Sequence, residues 1–190
     1  MNSFCTDSNI PNAYIEIKDY LYTKLLPILK SKRHIIFLCI GSDRATGDSL
    51  GPLIGYKLQN INCPYFHIYG SLEHPVNALN LSSVISKLNE VYSNPFIVSI
   101  DASLGNYHNI GKIYIDYAPL APGSALNKDL PIIGHISITG IVNVFKGSSF
   151  IVLQNTKLYT VMQLADCISD GIIYLIEELN SNFNNKNAKT

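Results

Sequence analysis

Ile35-Ile36-Phe37-Leu38-Cys39-Ile40-Gly41-Ser42-Asp43-Arg44-Ala45-Thr46-Gly47-Asp48-Ser49-Leu50-Gly51-Pro52 is the stretch that decides the fold. Its first six residues are uninterrupted apolar side chains, the composition of a strand buried on both faces of a parallel sheet rather than of an alternating surface strand. Gly41 and Gly47 bracket a polar loop. Asp48 then stands where a helix N-cap would stand, ahead of Leu50, Leu53, Ile54 and Leu58 at helical spacing. In an open α/β sheet a loop of this kind lies at the carboxyl edge of the strands, where ligands and chemistry sit. Asp43, Arg44 and Asp48 are therefore the first candidates for function.

Working outward, Tyr14, Ile17, Leu21, Leu25 and Leu29 form a helical stripe ending near Lys30, with Pro27 weakening its last turn. Residues 1–11 read as a flexible N-terminus. A short strand at Tyr65 to Tyr69 runs into Gly70-Ser71-Leu72-Glu73-His74, a second loop that leaves a strand with polar groups. Pro75 suits the first turn of a helix continued by Ala78, Leu81, Ile85, Leu88 and Tyr92. Phe96 to Ala102 reads as another buried strand and ends on the carboxylate of Asp101. Gly111 to Tyr117 alternates, which places it toward a sheet edge.

Residues 118–134 hold three prolines and little periodicity, the pattern of a long lid or binding loop, which His135 closes. A short helix is expected near 139–146, a strand at Phe150 to Leu153, and a long amphipathic helix from Leu158 to about Leu179. Residues 181–190 read as a disordered tail. Alternating strands and helices of this order favour one domain over 12–180, built as a three-layer α/β/α sandwich around a mostly parallel sheet.

Fourteen basic and fourteen acidic residues cancel, and no Lys/Arg cluster offers a footprint for nucleic acid or an anionic membrane. No apolar run approaches the roughly 20 residues that span a bilayer, so a cytoplasmic protein with neither nucleic-acid nor membrane partner is expected. Cys5, Cys39, Cys63 and Cys167 show no CxxC spacing and read as reduced thiols. A charged fraction of only 15% leaves room for self-association into a homo-oligomer.

Asp48 and Asp101 each follow a buried strand, so both open onto the same sheet edge. Two carboxylates held close resist double ionisation. Such a pair shares a proton and activates water, or, with a nitrogen ligand such as His135, holds a divalent metal. The structural alternative is that Asp48 caps its helix and Asp101 bonds loop amides. Asp43 and Arg44 form a loop ion pair, or Arg44 binds a substrate carbonyl, and Glu73 and His74 are further candidates for substrate binding. Gly47-Asp48-Ser49-Leu50 also spells the GDSL esterase signature, with Ser49 as nucleophile, but no Asp-x-x-His pair follows near the C-terminus. The absence of GxxxxGK[ST], HExxH and GxSxG removes the usual sequence support for nucleotide hydrolysis, zincin and α/β-hydrolase chemistry.

Cys39 to Pro52, Gly70-Ser-Leu-Glu-His-Pro-Val-Asn-Ala-Leu-Asn80 and Ile100-Asp-Ala-Ser-Leu-Gly105 together resemble the YyaC sporulation proteins of spore-forming bacteria, over about residues 20–180. That family is named as a spore protease for its similarity to the germination protease and, more remotely, to the hydrogenase maturation endopeptidases, all placed in one hydrogenase maturation protease-like α/β architecture. The resemblance implies that Asp48 and Asp101 match the two catalytic aspartates of the germination protease. In the hydrogenase endopeptidases the same positions are acidic metal ligands. His135 falls where their nickel-recognition histidine would be. The activity implied is hydrolysis of a peptide bond in a protein or peptide substrate. No cofactor is required by that reading, and a divalent metal, nickel or zinc, is the one that Asp48, Asp101 and His135 would suit. A non-catalytic protein- or metal-recognition module on the same fold is the competing reading, and a GDSL-like serine hydrolase the minor one.

Overall fold

The computed structural model describes residues 3–122 and 132–187, with side chains to residue 182. Six strands, β1 (Ser3–Asp7), β2 (Ile35–Cys39), β3 (Phe66–Tyr69), β4 (Phe96–Gly105), β5 (Lys112–Asp116) and β6 (Ile136–Val144), form one sheet in the order β1-β5-β6-β4-β2-β3. β3, β2, β4 and β6 are mutually parallel neighbours, and β5 runs antiparallel between β6 and β1. Helices α1 (Ala13–Lys30), α2 (Leu50–Leu58) and α5 (Leu158–Asn187) pack together on one face, and α3 (Leu81–Val91) covers the other. The expected α/β/α sandwich with a mostly parallel sheet is what the chain forms.

The all-apolar run of β2 is divided between the two layers. Ile35, Phe37 and Cys39 enter the core beneath α1, α2 and α5, whereas Ile36, Leu38 and Ile40 enter the smaller core beneath α3. All six are 4% exposed or less, as a central parallel strand requires. Helix α2 rides directly on this strand. A Cβ on Gly51 would overlap the Ile40 carbonyl and one on Gly55 the Gly70 carbonyl, so only glycine lets helix and sheet backbones approach this closely.

Several elements differ from the sequence reading. The N-terminal segment expected to be flexible supplies β1, whose partner β5 lies far along the chain and is therefore an interior strand rather than an edge. The segment read as a helix near 139–146 is the second half of β6. It is buried on both faces between β4 and β5, so it shows no alternation. Phe150 to Leu153, read as a strand, forms the short helix α4 (Ser149–Gln154), whose Leu153 is buried while Phe150 and Ile151 are exposed. Pro75 does not open a helix. Val76 instead bridges Ile40, and α3 begins at Leu81.

Helix α5 continues to Asn187, through most of the stretch expected to be a disordered tail, of which 188–190 lie outside the described residues. Of the predicted lid loop, 123–131 also lie outside them. Its two described ends are joined by reciprocal 2.8 Å bonds between Leu120 and Ile133. All four cysteines are free, and Cys39 is wholly buried, which pushes its thiol up to about 12.

Candidate functional site

Asp101 lies in β4 beside Ile40, whose N–H donates to the Ile100 carbonyl at 2.7 Å. It shares the α3 face of the strand with Ile97 and Ser99, because Val98 and Ile100 point into the opposite core. The residue is 8% exposed, and Oδ1 accepts the Ala102 N–H at 2.8 Å. That donor is the next residue of β4 and not a loop amide, so the bond differs from the loop-amide role that the sequence reading offers as the structural alternative.

Asp48 comes from the loop that leaves the carboxyl end of β2. It does not occupy the N-cap of α2, which is Ser49, but sits one residue earlier in a 3-10 turn, Thr46–Ser49. The turn is closed by the Asp48 N–H donating to the Ala45 carbonyl and by the Ser42 N–H donating to the Asp48 carbonyl, both at 3.0 Å. It packs against β4 and α4. Beneath it Gly41 has a φ of +142°, and a Cβ there would overlap the Asp48 carbonyl. Asp48 thus follows the carboxyl end of β2, and Asp101 lies one residue past the point where β2 stops pairing with β4. β4 does not finish on Asp101, as the sequence reading has it, but runs on to Gly105 beside β6.

His135 is not there. Because β6 runs parallel to β4, the residue that precedes β6 lies at the opposite, amino edge. Its backbone N–H donates to the Ile97 carbonyl at 2.7 Å, four residues and about 13 Å of strand from Asp101. Its imidazole is stacked on Phe96 with centroids 4.6 Å apart. The ring accepts the Ile97 N–H at Nδ1 and has Nε2 3.0 Å from the Arg33 guanidinium. Burial first, then the Arg33 charge, lowers its pKa from 6.5. The predicted Asp48–Asp101–His135 metal set does not assemble, and among the described residues no three His, Cys, Asp or Glu side chains gather to hold a metal. Two carboxylates alone fall short of a zinc or nickel coordination shell.

The Ser49 hydroxyl donates to the Thr46 carbonyl at 2.6 Å, and the residue is 7% exposed, an arrangement for closing a turn rather than for nucleophilic attack. Asp43 and Arg44 are exposed on the same carboxyl-edge loop, and no ion pair joins them. Glu73 and His74 are also exposed, 4.0 Å apart, and line an open groove of about 1100 Å³ along β3. Asp48 and Asp101 do not line that groove.

A cluster that sequence reading missed flanks it. His34 Nδ1 and His67 Nε2 are 2.9 Å apart, the Tyr92 ring lies against both imidazoles, and its hydroxyl is 3.3 Å from that of Tyr69. These side chains come from three separate segments, so no spacing announced them.

The fold defines an α/β sandwich protein with a mostly parallel sheet. The chain belongs to the family described as Protein of unknown function (DUF1256), whose model matches residues 5–171. The uncharacterized protein YyaC of Bacillus subtilis (strain 168) is 44% identical over 138 residues, a match spanning 73% of this chain and 67% of that protein. Among solved structures, the NiFe hydrogenase maturation protease HycI from Thermococcus kodakarensis KOD1 is similar with a TM-score of 0.46 and 16% identity, over 78% of this chain and 97% of that one. No helix among the described residues is long and apolar enough to cross a membrane.

Proposed function

We propose that the chain is an endopeptidase-like hydrolase, acting in the cytoplasm of a sporulating cell, in which Asp48 and Asp101 form the hydrolytic pair. One carboxylate takes a proton from water as its oxygen attacks the peptide carbonyl carbon. The other, protonated, donates to the carbonyl oxygen, and the proton taken from water passes to the leaving amine as the C–N bond breaks. Arg44, exposed on the same loop, steadies the substrate carbonyl. His135 has no part in this, since it occupies the other end of the strands. The observation that carries the reading is the seating of the Asp48 turn against β4, the strand that bears Asp101, at the edge where α/β folds place their chemistry.

The test is exposure of a proteome-derived peptide library to the chain, with new termini read by mass spectrometry. Wild type should generate cleavages that Asp48→Asn and Asp101→Asn each reduce by at least about a hundredfold, a typical general acid–base contribution. Equal cleavage by wild type and both variants would remove the mechanism. A second reading, a recognition module without catalysis, is favoured by the 8% exposure of Asp101. It predicts that the wild type cuts nothing.

A further inference from the structure

Strand β3 is an open edge. In its parallel ladder with β2, the Ile35 N–H donates to the Tyr65 carbonyl, so the odd-numbered residues of this lane turn their backbone groups inward and the even-numbered ones outward. The Phe66 N–H is taken by the Cys63 carbonyl. The Phe66 carbonyl and both backbone groups of Ile68 then face the groove, with no strand among the described residues on that side. The turn at Cys63 and the Ser71 to His74 turn, closed by the Ser71 N–H on the His74 carbonyl, frame this short span at either end.

The groove's two walls differ. His67 and Tyr69 of β3 point to the α3 side and meet Tyr92, whereas Ile68 packs toward the core beneath α2, from which Gly55 and Gln59 line the other wall. The charged lining residues besides histidine are Glu73 and Lys87, one of each sign.

We propose that this groove binds an extended polypeptide segment, which adds to β3 as a seventh strand. The outward Ile68 N–H donates to it, and the Phe66 and Ile68 carbonyls accept from it. Successive side chains then alternate between the imidazole–aromatic wall and the Gly55–Ile68 wall, which selects aromatic or aliphatic residues two apart. A balanced lining suits an uncharged backbone better than an anionic polymer. The framing turns admit one free strand, but a second copy bringing a whole sheet edge would meet both of them. The inference goes beyond the two-aspartate reading, because binding here needs neither carboxylate.

The experiment selects binders from a random 12-residue displayed peptide library on the wild-type chain. Affinities are then measured for Ile68→Pro, Ile68→Val and the Asp48→Asn/Asp101→Asn double variant. Proline removes one outward N–H, which an edge strand tolerates without losing a ladder bond. Binding should weaken at least about tenfold in Ile68→Pro, stay within about twofold in Ile68→Val, and persist in the double variant. Hydrogen exchange on wild type gives a readout independent of any variant's folding: the Ile68 amide should slow when the selected peptide is added.

Failure to enrich any peptide, equal binding by Ile68→Pro and Ile68→Val, or an Ile68 amide unaffected by peptide would each overturn the proposal. So would an Ile68 amide that becomes protected with rising protein concentration alone, which would assign the edge to a second copy. Loss of cleavage with retained peptide binding would count against the hydrolytic reading only.

Discussion

Gly41 does its work by having no side chain. Its positive φ and the Asp48 carbonyl seated over its α-carbon make it the floor of the turn that presents Asp48. Gly41→Ala should therefore lower stability by about 2 kcal/mol or more, through left-handed strain together with the overlap, and displace Asp48. Urea unfolding measures this, and a midpoint equal to that of wild type would show that the turn is not seated as described. The sequence places Asp48 in the loop after one mainly apolar strand and Asp101 near the end of another. The loop is where it was expected, whereas β4 continues four residues past Asp101, because its pairing with β6 outlasts the apolar stretch. His135 was misplaced for a related reason. With 139–146 taken for a helix, a histidine after a long loop looked like part of the carboxyl edge, whereas one that precedes a strand parallel to β4 must lie at the amino edge. No local pattern distinguishes the two cases.

At the scale of elements, the entrances to β2, β4 and β6 are clasped by Arg33. Its guanidinium donates to the Asn94 and Pro95 carbonyls and to Asn94 Oδ1, lies over the Phe96 ring at 5.3 Å, and meets His135. Arg33→Ala should cost about 2 kcal/mol, the sum expected of three partly exposed hydrogen bonds, without changing what binds at the carboxyl edge. Calorimetry checks the loss, and an unchanged transition would reduce the clasp to a surface contact. Elements with a strong periodic signal, such as α1 and α5, were readable from the sequence alone. β6 was not, because a strand buried on both sides loses its alternation. Nor was α4: six residues are too few to show a helical period, and Phe150-Ile151-Val152 is strand-like by composition. β1 escaped notice because what orders it is pairing with distant β5.

For the molecule as a whole, two histidines tie stability to acidity. Burial, then the neighbouring His34, lowers the pKa of His67, as burial and Arg33 do for His135. The unfolded chain, with its histidines near 6.5, takes up protons before the folded one does. Stability is therefore full above that pH and falls as the pH drops toward the folded-state values. The melting temperature should decline from pH 7 to 5, less steeply in His67→Asn/His135→Gln. Parallel profiles for the two proteins would exclude these residues as the source. The sheet order also fixes where a reporter group belongs. Cys5, the one exposed thiol of the four, lies on β1 at the far border of the sheet, five strand spacings or about 24 Å from β3. A maleimide dye attached there would sit clear of the groove yet within energy-transfer range of a labelled peptide, so occupancy could be followed by fluorescence without engineering a new attachment point.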